Sequence, residues 1–320
     1  MELVLVRHAE STSNVSGRWQ GQGDAPLSPH GEAQVEALAA RLRARREAGW
    51  SLDVVVASDL QRASRTGRAA FPDATIEPAW READVGAWEG LTRPEIAARF
   101  PEQLEALASG RLDVALGGGE SLARFWARTD AALEALRGRV PPGGRALVFT
   151  HGGVISALVA RALGRRGQRA SQGLARLANT AITTLSLEDA HPEGRVLGLN
   201  DVAHLGRAAI AAEERRGGEV PLVTLVAAHD APAPCGERRA GPSRDEVEAA
   251  LRAEVARAGG DVHVPLAPAA LRAVVVALAH VSYARGSVIA EPPAAARSHV
   301  ALDPRQGALL VDHATPGDGR

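Results

Sequence analysis

The sequence predicts an α/β fold, in which a mostly parallel sheet is covered by helices on both faces and a smaller C-terminal α/β segment follows. Short apolar runs without polar alternation recur along the chain, which is typical of strands buried on both faces. Stretches with an apolar helical stripe lie between these runs, and strands that alternate with helices form parallel sheets. With 320 residues, 45% of them hydrophobic, the chain can build one large or two ordinary domains and is not disordered throughout.

The first strand is predicted at residues 3–6, which read Leu-Val-Leu-Val. A helix is predicted at residues 31–46, where the apolar side chains recur on one stripe. The same reasoning applies to the rest of this pattern. Further strands are predicted at residues 52–57, 146–150, 182–187 and 196–199, and further helices at residues 121–136 and 154–163.

The pattern changes after residue 205, where an Ala-, Arg-, Glu- and Gly-rich stretch begins. We predict a first domain at residues 1–205, a linker at 206–220, a small α/β domain at 221–313 and a frayed tail at 314–320. The predicted elements of the small domain are strands at 222–227 and 262–266, helices at 244–258 and 271–283, and short strands near 287–290 and 308–311.

The small domain carries no motif that we can attach to chemistry. Four interpretations stay open for it: an oligomerisation module that makes a homo-oligomer, a cap that narrows substrate choice, a ligand-binding domain, or an extension packed on the first sheet.

Charge and cysteine content exclude several classes of protein. The formal net charge is −1 and is evenly distributed, so a general nucleic-acid or membrane-surface binder is not expected. Cys235 is the only cysteine, which excludes an intrachain disulfide framework and a multi-cysteine zinc site. The apolar runs fall short of the ~20 residues of a spanning helix, and the N-terminus lacks a secretory pattern. We therefore expect a cytoplasmic protein.

Polar motifs follow the predicted strands or open the predicted helices. Arg7-His8 ends the first strand, at the position where open parallel sheets place their sites. A neutral imidazole can act as a nucleophile, and an adjacent guanidinium can hold an anionic substrate against it. The other motifs can converge on the same sheet edge; they lie at residues 58–63, 81–82, 86–90, 119–121 and 149–153.

Together these motifs resemble the histidine phosphatase superfamily, also called the phosphoglycerate mutase-like family, over about residues 3–205. Arg7-His8-Ala9 matches the family's Arg-His-Gly opening, with alanine in place of the glycine. The spacing to Asn14 fits as well, and so does the later Leu-Ser-x-x-Gly turn that ends at Gly31. The resemblance implies the phosphoglycerate mutase-like fold and phosphoryl transfer to and from a histidine.

The resemblance also implies a role for each charged residue. His8 would attack phosphorus and become phosphohistidine, while Arg7, Arg62 and His151 would form an oxyanion clamp. His151 is most useful there as a cation, so we expect neighbouring carboxylates to maintain its charge. Glu82 would protonate the leaving oxygen and then deprotonate the attacking water.

Two further groups would bind the substrate. Asn14 would add a neutral hydrogen bond to phosphate, and the backbone N–H groups near Gly152 lie at a predicted helix start, which is a natural anion site. No metal or other cofactor is expected, because the two arginines and His151 supply the positive charge.

Each residue also has an ordinary structural interpretation. Arg62 can cap a helix, Glu82 can be a solvated carboxylate with Glu89 as a competitor for its role, and His151 can be a core histidine. Their joint occurrence at family positions favours the functional interpretation.

The motifs favour a phosphomonoesterase acting on a small phosphorylated metabolite. Cofactor-dependent mutases of the family carry a longer insertion than residues 91–118 provide, and the Gly-x-Trp-Glu-Gly form at residues 86–90 resembles phosphatase members. The substrate classes that stay open are sugar phosphates, phosphoglycerate derivatives and alpha-ribazole phosphate. A cofactor-dependent phosphoglycerate mutase is the alternative, and a non-catalytic phospho-ligand-binding protein is a minor one, because it would be expected to lose one of the motif residues.

Overall fold

The computed structural model describes most of the first two hundred residues and several separate stretches beyond them. The described residues are 1–109, 111–165, 176–188, 191–205, 222–227, 243–258, 262–266, 274, 297–303 and 307–310.

A mixed six-stranded sheet, flanked by helices, forms the larger part of the fold. Its strand order is β3-β2-β4-β1-β5-β6. Strand β4 pairs in parallel with β1 and with β2, β2 pairs in parallel with β3, and β6 runs antiparallel to β5. The strands are β1 (Glu2–Arg7), β2 (Val54–Ala57), β3 (Thr75–Ile76), β4 (Arg145–Thr150), β5 (Ile182–Glu188) and β6 (His191–Asp201). This arrangement confirms the predicted α/β class with a mostly parallel sheet.

The helices of this part alternate with its strands. They are α1 (Thr12–Val15), α2 (Pro29–Glu47), α3 (Gln61–Arg68), α4 (Arg93–Arg99), α5 (Pro101–Ala108), α6 (Leu122–Arg137) and α7 (Gly152–Ala162). The predicted helices at 31–46, 121–136 and 154–163 are confirmed as α2, α6 and α7, each to within two residues. Helices α1, α3, α4 and α5 were not predicted.

The central strands are buried as their composition predicts. Leu3, Val4, Leu5 and Val6 of β1 are all at most 1% exposed, and the apolar residues of β4 are fully buried as well. Strands without polar alternation are therefore covered on both faces. A consequence is that the carboxyl ends of β1 and β4, which pair as Arg7↔Thr150, bring the Arg7-His8 and Thr150-His151 segments side by side.

Side-chain caps fix where the long helices begin. Ser28 accepts the Gly31 N–H at the start of α2, and Ser121 accepts the Arg124 N–H at the start of α6. Each cap satisfies one of the backbone donors that a helix start leaves without an intrahelical partner. The caps also set the point at which the preceding loops leave the sheet edge.

A separate apolar cluster lies under α4 and α5. Its buried residues are Val85, Trp88, Ile96 and Leu116, and Trp19 packs edge-on against Trp88 with ring centroids 5.2 Å apart. The cluster joins the loop after α1 to the segment that follows Glu82.

The C-terminal part contains a second sheet of four strands, in the order β10-β9-β7-β8. Its elements are β7 (Leu222–Ala227), α8 (Arg244–Ala258), β8 (Val262–Leu266), β9 (Arg297–Asp303) and β10 (Gly307–Leu310). β7 and β8 are parallel, whereas β9 is antiparallel to both β7 and β10.

The predictions for the C-terminal part have mixed outcomes. The strands at 222–227 and 262–266 and the helix at 244–258 are confirmed, and β10 matches the strand expected near 308–311. β9 was not predicted. The linker at 206–220, the strand near 287–290, the tail at 314–320 and all but one residue of the helix at 271–283 lie outside the described residues.

The chain divides into two compact units, with residues 1–161 in the first and the residues from 182 onward in the second. The domain boundaries at 205 and 220 stay predictions.

Candidate active site

His8 lies just past the end of β1, where its backbone N–H donates to the Thr150 carbonyl of β4 at 2.9 Å. The residue is 4% exposed. Its Nδ1 lies 2.7 Å from the carbonyl oxygen of Ala9. A carbonyl can only accept, so Nδ1 carries the proton and Nε2 carries the lone pair. The contact therefore fixes the tautomer in which Nε2 is the nucleophilic nitrogen.

The backbone of His8 is anchored by a residue that sequence reasoning missed. Asn179 donates from Nδ2 to the His8 carbonyl at 2.9 Å and to Asn14 Oδ1 at 3.1 Å. Thr180 follows with φ of 59°, a left-handed conformation that is uncommon for a residue other than glycine, and its N–H donates to the Arg7 carbonyl. No local sequence signal marks this turn, because its partners are more than 160 residues away.

Asn14 uses its acceptor half within the protein. Oδ1 accepts the Ser11 N–H at 3.1 Å in addition to the Asn179 contact. Its amide nitrogen makes no hydrogen bond to any residue in the described part of the chain. The donor half is thus the group that Asn14 can offer to an oxyanion.

The Arg62 guanidinium donates hydrogen bonds to two carbonyl groups of one loop. The side chain belongs to α3 and is 1% exposed. Its Nη1 donates to the Gly23 carbonyl at 2.8 Å, and its Nη2 donates to the Gly21 carbonyl at 2.7 Å. Nε is buried and has no hydrogen-bond partner among the described residues. Burial lowers the pKa of Arg62 below its usual value, and the charges of Glu82, Glu89 and Asp24 oppose that effect.

Helix α3 is tied directly to the segment that carries His8. Thr66 donates from Oγ1 to the Arg62 carbonyl at 2.6 Å and accepts the Ala9 N–H at 3.0 Å. Thr66 lies beyond the motif at residues 58–63, and sequence reasoning gave it no role. The two hydrogen bonds couple the position of α3 to that of the His8 backbone.

His151 lies at the end of β4 and directly precedes α7. Its ring centroid is 5.3 Å from that of His8, and Nε2 lies 2.9 Å from the buried Ser58 Oγ. Nδ1 is buried and has no hydrogen-bond partner in the described part of the structure. Arg7 lies on the same side, since a Cβ built at Gly152 would sit 3.5 Å from Arg7 Nε.

The structure contradicts the expected positive charge of His151. Complete burial lowers the pKa of His151 well below 6.5, and the positive charges of Arg62, Arg7 and Arg128 lower it further. Among the described residues, no carboxylate is one of the groups that govern this pKa. The carboxylates expected to maintain the cation do not do so, because Glu82 points instead at backbone donors.

Glu82 is half-buried and sits at the start of α7. Oε2 accepts the Gly153 N–H at 2.8 Å, and Oε1 accepts the Ala83 N–H at 2.9 Å. A Cβ at Gly153 would collide with Glu82 Oε1, so the close approach requires glycine there. A carboxylate at a helix N-terminus is electrostatically favourable. The structure thus brings Glu82 to the same helix start as His151 and Gly152.

Arg128, which sequence reasoning also missed, fixes the backbone that carries Glu82. Arg128 of α6 forms a bidentate pair with Glu120, with contacts of 2.9 and 3.1 Å. It also donates to the carbonyl oxygens of Ala79, Arg81 and Glu82 at 2.9–3.2 Å. Glu120 was noted in its motif without a role.

Arg81 is anchored in turn to the segment after β2. Its guanidinium pairs with both oxygens of Asp59, the shortest contact being 2.6 Å, and this pairing lowers the pKa of Asp59 below its usual value. The segment that bears Glu82 is therefore fixed to α6 on one side and to the β2 end on the other.

Glu89, the expected competitor of Glu82, lies elsewhere. Its Oε2 accepts the N–H groups of Gly21 at 3.0 Å and Gly23 at 3.1 Å. These are the residues whose carbonyls hold Arg62. Glu89 thus contacts the Arg62 loop rather than the α7 N-terminus.

In the described part of the chain, no group of three or more His, Cys, Asp or Glu side chains is placed to hold a metal ion. None of the helices in that part combines the length and apolar character that crossing a membrane requires.

Comparison with known proteins gives consistent matches. The family model of the histidine phosphatase superfamily, branch 1, matches residues 3–201. A metal-independent phosphoserine phosphatase from Arabidopsis thaliana is 35% identical over 210 residues, which cover 64% of this chain and 83% of that protein. A probable phosphoglycerate mutase from Enterobacter sp. strain 638 is 30% identical over 217 residues, covering 66% and 97%.

A solved structure gives the same result for the fold. A mycobacterial glucosyl-3-phosphoglycerate phosphatase is 31% identical, with a TM-score of 0.51 over 58% of this chain and 92% of that one. Phosphatases and mutases of this kind are enzymes that act on small phosphorylated substrates. The arrangement of motif residues at one sheet edge and the match over residues 3–201 lead to one assignment: the chain belongs to the histidine phosphatase superfamily.

Proposed function

We propose that the chain is a metal-independent phosphomonoesterase that acts through a phosphohistidine intermediate on a small phosphorylated metabolite. The observation that carries this proposal is the position of the His8 proton on Nδ1, which leaves the lone pair of the neutral ring on Nε2, with the His151 ring centroid 5.3 Å away. The charges of Arg62 and Arg7 act on that neighbouring ring. A buried neutral imidazole near guanidinium groups is suited to attack an anionic phosphorus centre.

In the first step, His8 Nε2 forms a bond to phosphorus while the ester P–O bond breaks. Protonated Glu82 gives its proton to the departing oxygen, and the alcohol product leaves. In the second step, a water oxygen attacks phosphorus and the N–P bond breaks. Glu82 takes the proton of that water, so inorganic phosphate is released and the starting protonation states return.

The phosphoryl oxygens would be bound by donors whose places are already fixed. Arg62 offers Nε, Asn14 offers its amide nitrogen, and the Gly152 N–H lies at the start of α7. Arg7 would complete the clamp. His151 Nδ1 has no partner in the described part of the protein, and a dianionic phosphate would raise the His151 pKa by opposing the neighbouring positive charges.

Relatives with phosphatase names support hydrolysis as the reaction. They are named for phosphoserine and for glucosyl-3-phosphoglycerate. The substrate of this chain is accordingly proposed to be a sugar phosphate, a phosphoglycerate derivative, alpha-ribazole phosphate or a phosphorylated amino acid.

A panel of phosphomonoesters, assayed with EDTA present, tests reaction, metal independence and substrate class together. The wild-type protein should release phosphate from at least one compound, and His8→Ala should release none because the nucleophile is gone. Rapid acid-free quenching with a labelled substrate should trap phosphate on the wild-type chain only. Near-normal turnover by His8→Ala would exclude His8 as nucleophile.

Phosphoglycerate mutase activity is the second candidate, and the relative named as a probable phosphoglycerate mutase supports it. The two activities differ in whether water reaches phosphohistidine. Incubation of 3-phosphoglycerate with and without 2,3-bisphosphoglycerate, followed by measurement of 2-phosphoglycerate, separates them. Efficient isomerisation would replace the phosphatase proposal.

A further inference from the structure

Glu89 is an exposed carboxylate that spans two parts of the candidate active site. It lies in the 3₁₀ turn segment after Gly86–Trp88, and its Oε2 accepts the N–H groups of Gly21 and Gly23 at 3.0 and 3.1 Å. The same two glycines turn their carbonyl oxygens to the Arg62 guanidinium at 2.7 and 2.8 Å. One short loop therefore has an anion on its N–H groups and a cation on its carbonyl groups.

Both contacts act on the same two residues, because the N–H groups of Gly21 and Gly23 bind Glu89 and their carbonyl oxygens bind Arg62. Each glycine is therefore held on both sides of its Cα atom. Charge-assisted hydrogen bonds are stronger than neutral ones, and both Glu89 and Arg62 are charged. The negative charge of Glu89 stabilises the buried Arg62 cation through space as well.

Other contacts hold the loop at its neighbouring side chains, since Gln22 Nε2 donates to the Glu82 carbonyl at 3.3 Å and Asp24 accepts the Gln61 N–H at 3.0 Å, whereas Glu89 accepts the glycine N–H groups themselves. Trp19 donates to the Leu91 carbonyl at 2.8 Å and Gly90 donates to the Trp19 carbonyl at 2.9 Å, so the loop start is anchored to the segment around Glu89. A Cβ at Gly23 would come within 2.6 Å of Glu89 Oε1, so the carboxylate sits tightly against the loop. Glu89 fills the position from which it can fix both glycine N–H groups at once.

We propose that Glu89 is a positioning residue that sets the Arg62 guanidinium for phosphoryl binding by fixing the Gly21–Gly23 loop. The inference rests on the proposed function, because Arg62 is taken there as part of the oxyanion clamp. Glu89 itself does not touch the reacting atoms; its Oε2 is engaged by loop N–H groups, whereas Glu82 occupies the α7 N-terminus.

The test is a double-mutant cycle that joins Glu89→Ala to Arg62→Ala, with p-nitrophenyl phosphate as substrate. In the wild-type background Glu89→Ala should lower kcat/KM about 10- to 100-fold, the loss typical when a group that orients a site ligand is removed. In the Arg62→Ala background it should cause no further loss, because both changes remove the same interaction. Glu89→Gln, which retains one oxygen for both N–H groups but no charge, should fall between wild type and Glu89→Ala.

Two comparisons separate positioning from other roles. Glu36→Ala removes an exposed carboxylate on α2 and should leave activity and melting temperature unchanged. Glu89→Ala should lower turnover of a poor leaving group, such as a sugar phosphate, by the same factor as p-nitrophenyl phosphate. A larger loss on the poor leaving group would make Glu89 the general acid and overturn the inference.

Further outcomes overturn it as well. Unchanged activity in both Glu89 variants, or an equal additional loss in the Arg62→Ala background, would show that Glu89 does not act through Arg62. If wild-type protein hydrolyses none of the esters, the proposed function fails instead, and the inference is then judged by binding of orthovanadate. Weaker orthovanadate binding by Glu89→Gln than by wild type would support positioning, and equal binding would overturn it.

Discussion

Two buried histidines with ring centroids 5.3 Å apart differ in how their protonation is controlled. The Ala9 carbonyl fixes the proton of His8 on Nδ1. Within the described residues His151 has no such acceptor on Nδ1, and burial among positive charges keeps its pKa well below 6.5. We therefore expect His151 to be neutral near pH 7.

This lowered pKa makes the protein less stable in acid. Below about pH 6.5 the unfolded chain binds a proton at His151 and the folded chain does not, so the free energy of unfolding falls as pH falls. His151→Gln should reduce that dependence by up to about 1.4 kcal/mol per pH unit, the value for one proton. Urea unfolding between about pH 5 and pH 7.5 measures it, with His30→Gln, at an exposed position, as control. Parallel pH profiles for wild type and His151→Gln would contradict the lowered pKa.

Glu82 should affect turnover most for substrates whose leaving oxygen must be protonated before it departs. Glu82→Ala should reduce turnover of a sugar phosphate far more than turnover of p-nitrophenyl phosphate, because p-nitrophenolate departs without protonation. The measurement is kcat for both substrates in wild type and variant. Asp84→Ala provides a neighbouring carboxylate control. Equal losses on the two substrates would assign the proton transfer to another group.

Among the elements, those with a strong apolar pattern could be predicted and those without it could not. β1, β4 and α2 are continuous or periodic in apolar residues and appear where predicted. Helix α3 reads Gln-Arg-Ala-Ser-Arg-Thr-Gly-Arg and buries Arg62 and Thr66 instead of an apolar stripe, so its helical period is invisible. Arg62 and Thr66 are buried because they contact other residues of the candidate site.

The candidate site shows the same division. His8, Arg62, Glu82 and His151 could be named from the sequence because they lie in motifs that resemble those of the histidine phosphatase superfamily. The partners that orient them, such as Asn179 and Arg128, come from distant segments with no local pattern. The charge of His151 was mispredicted for a related reason, since it depends on which charges the fold packs around the ring.

Helix α2 begins at a point of very close backbone approach. A Cβ at Gly31 would collide with the Glu10 carbonyl oxygen, whereas the nearest atom to a Cβ at Gly138, at the end of α6, would be 3.7 Å away. Gly31→Ala should lower the free energy of unfolding by about 1–3 kcal/mol, the usual cost of forced overpacking. Gly138→Ala should be neutral or stabilising by up to about 1 kcal/mol. Urea unfolding of both variants checks this contrast, and equal stabilities would contradict it.

At the scale of the whole molecule, all residues of the candidate site come from one part of the chain. Every residue placed in the candidate site, from Arg7 to Asn179, belongs to the part of the chain that precedes residue 205. The second sheet, β7 to β10, contributes no residue to the contacts described for the site. We therefore expect the residues before 205 to act without the C-terminal segment.

Residues 1–205 expressed alone are expected to fold and to hydrolyse p-nitrophenyl phosphate with the kcat and KM of the full chain. The same fragment should also retain the substrate preference of the full chain across the phosphomonoester panel. A fragment that folds, as judged by circular dichroism, but loses selectivity would assign the C-terminal segment the role of a cap.

The pairing of β1 with β4 has a consequence for how the protein is made. The Glu2–Arg145 pair at the start of these strands joins residues 143 positions apart, and the anchor of His8 to Asn179 joins residues 171 apart. At the usual ribosomal rate of about 5–20 residues per second, β1 waits roughly 7–30 s for its parallel neighbour. During that interval a strand with four consecutive apolar residues, Leu3 to Val6, lacks its parallel partner, so newly made chains should depend on chaperones that shield this strand.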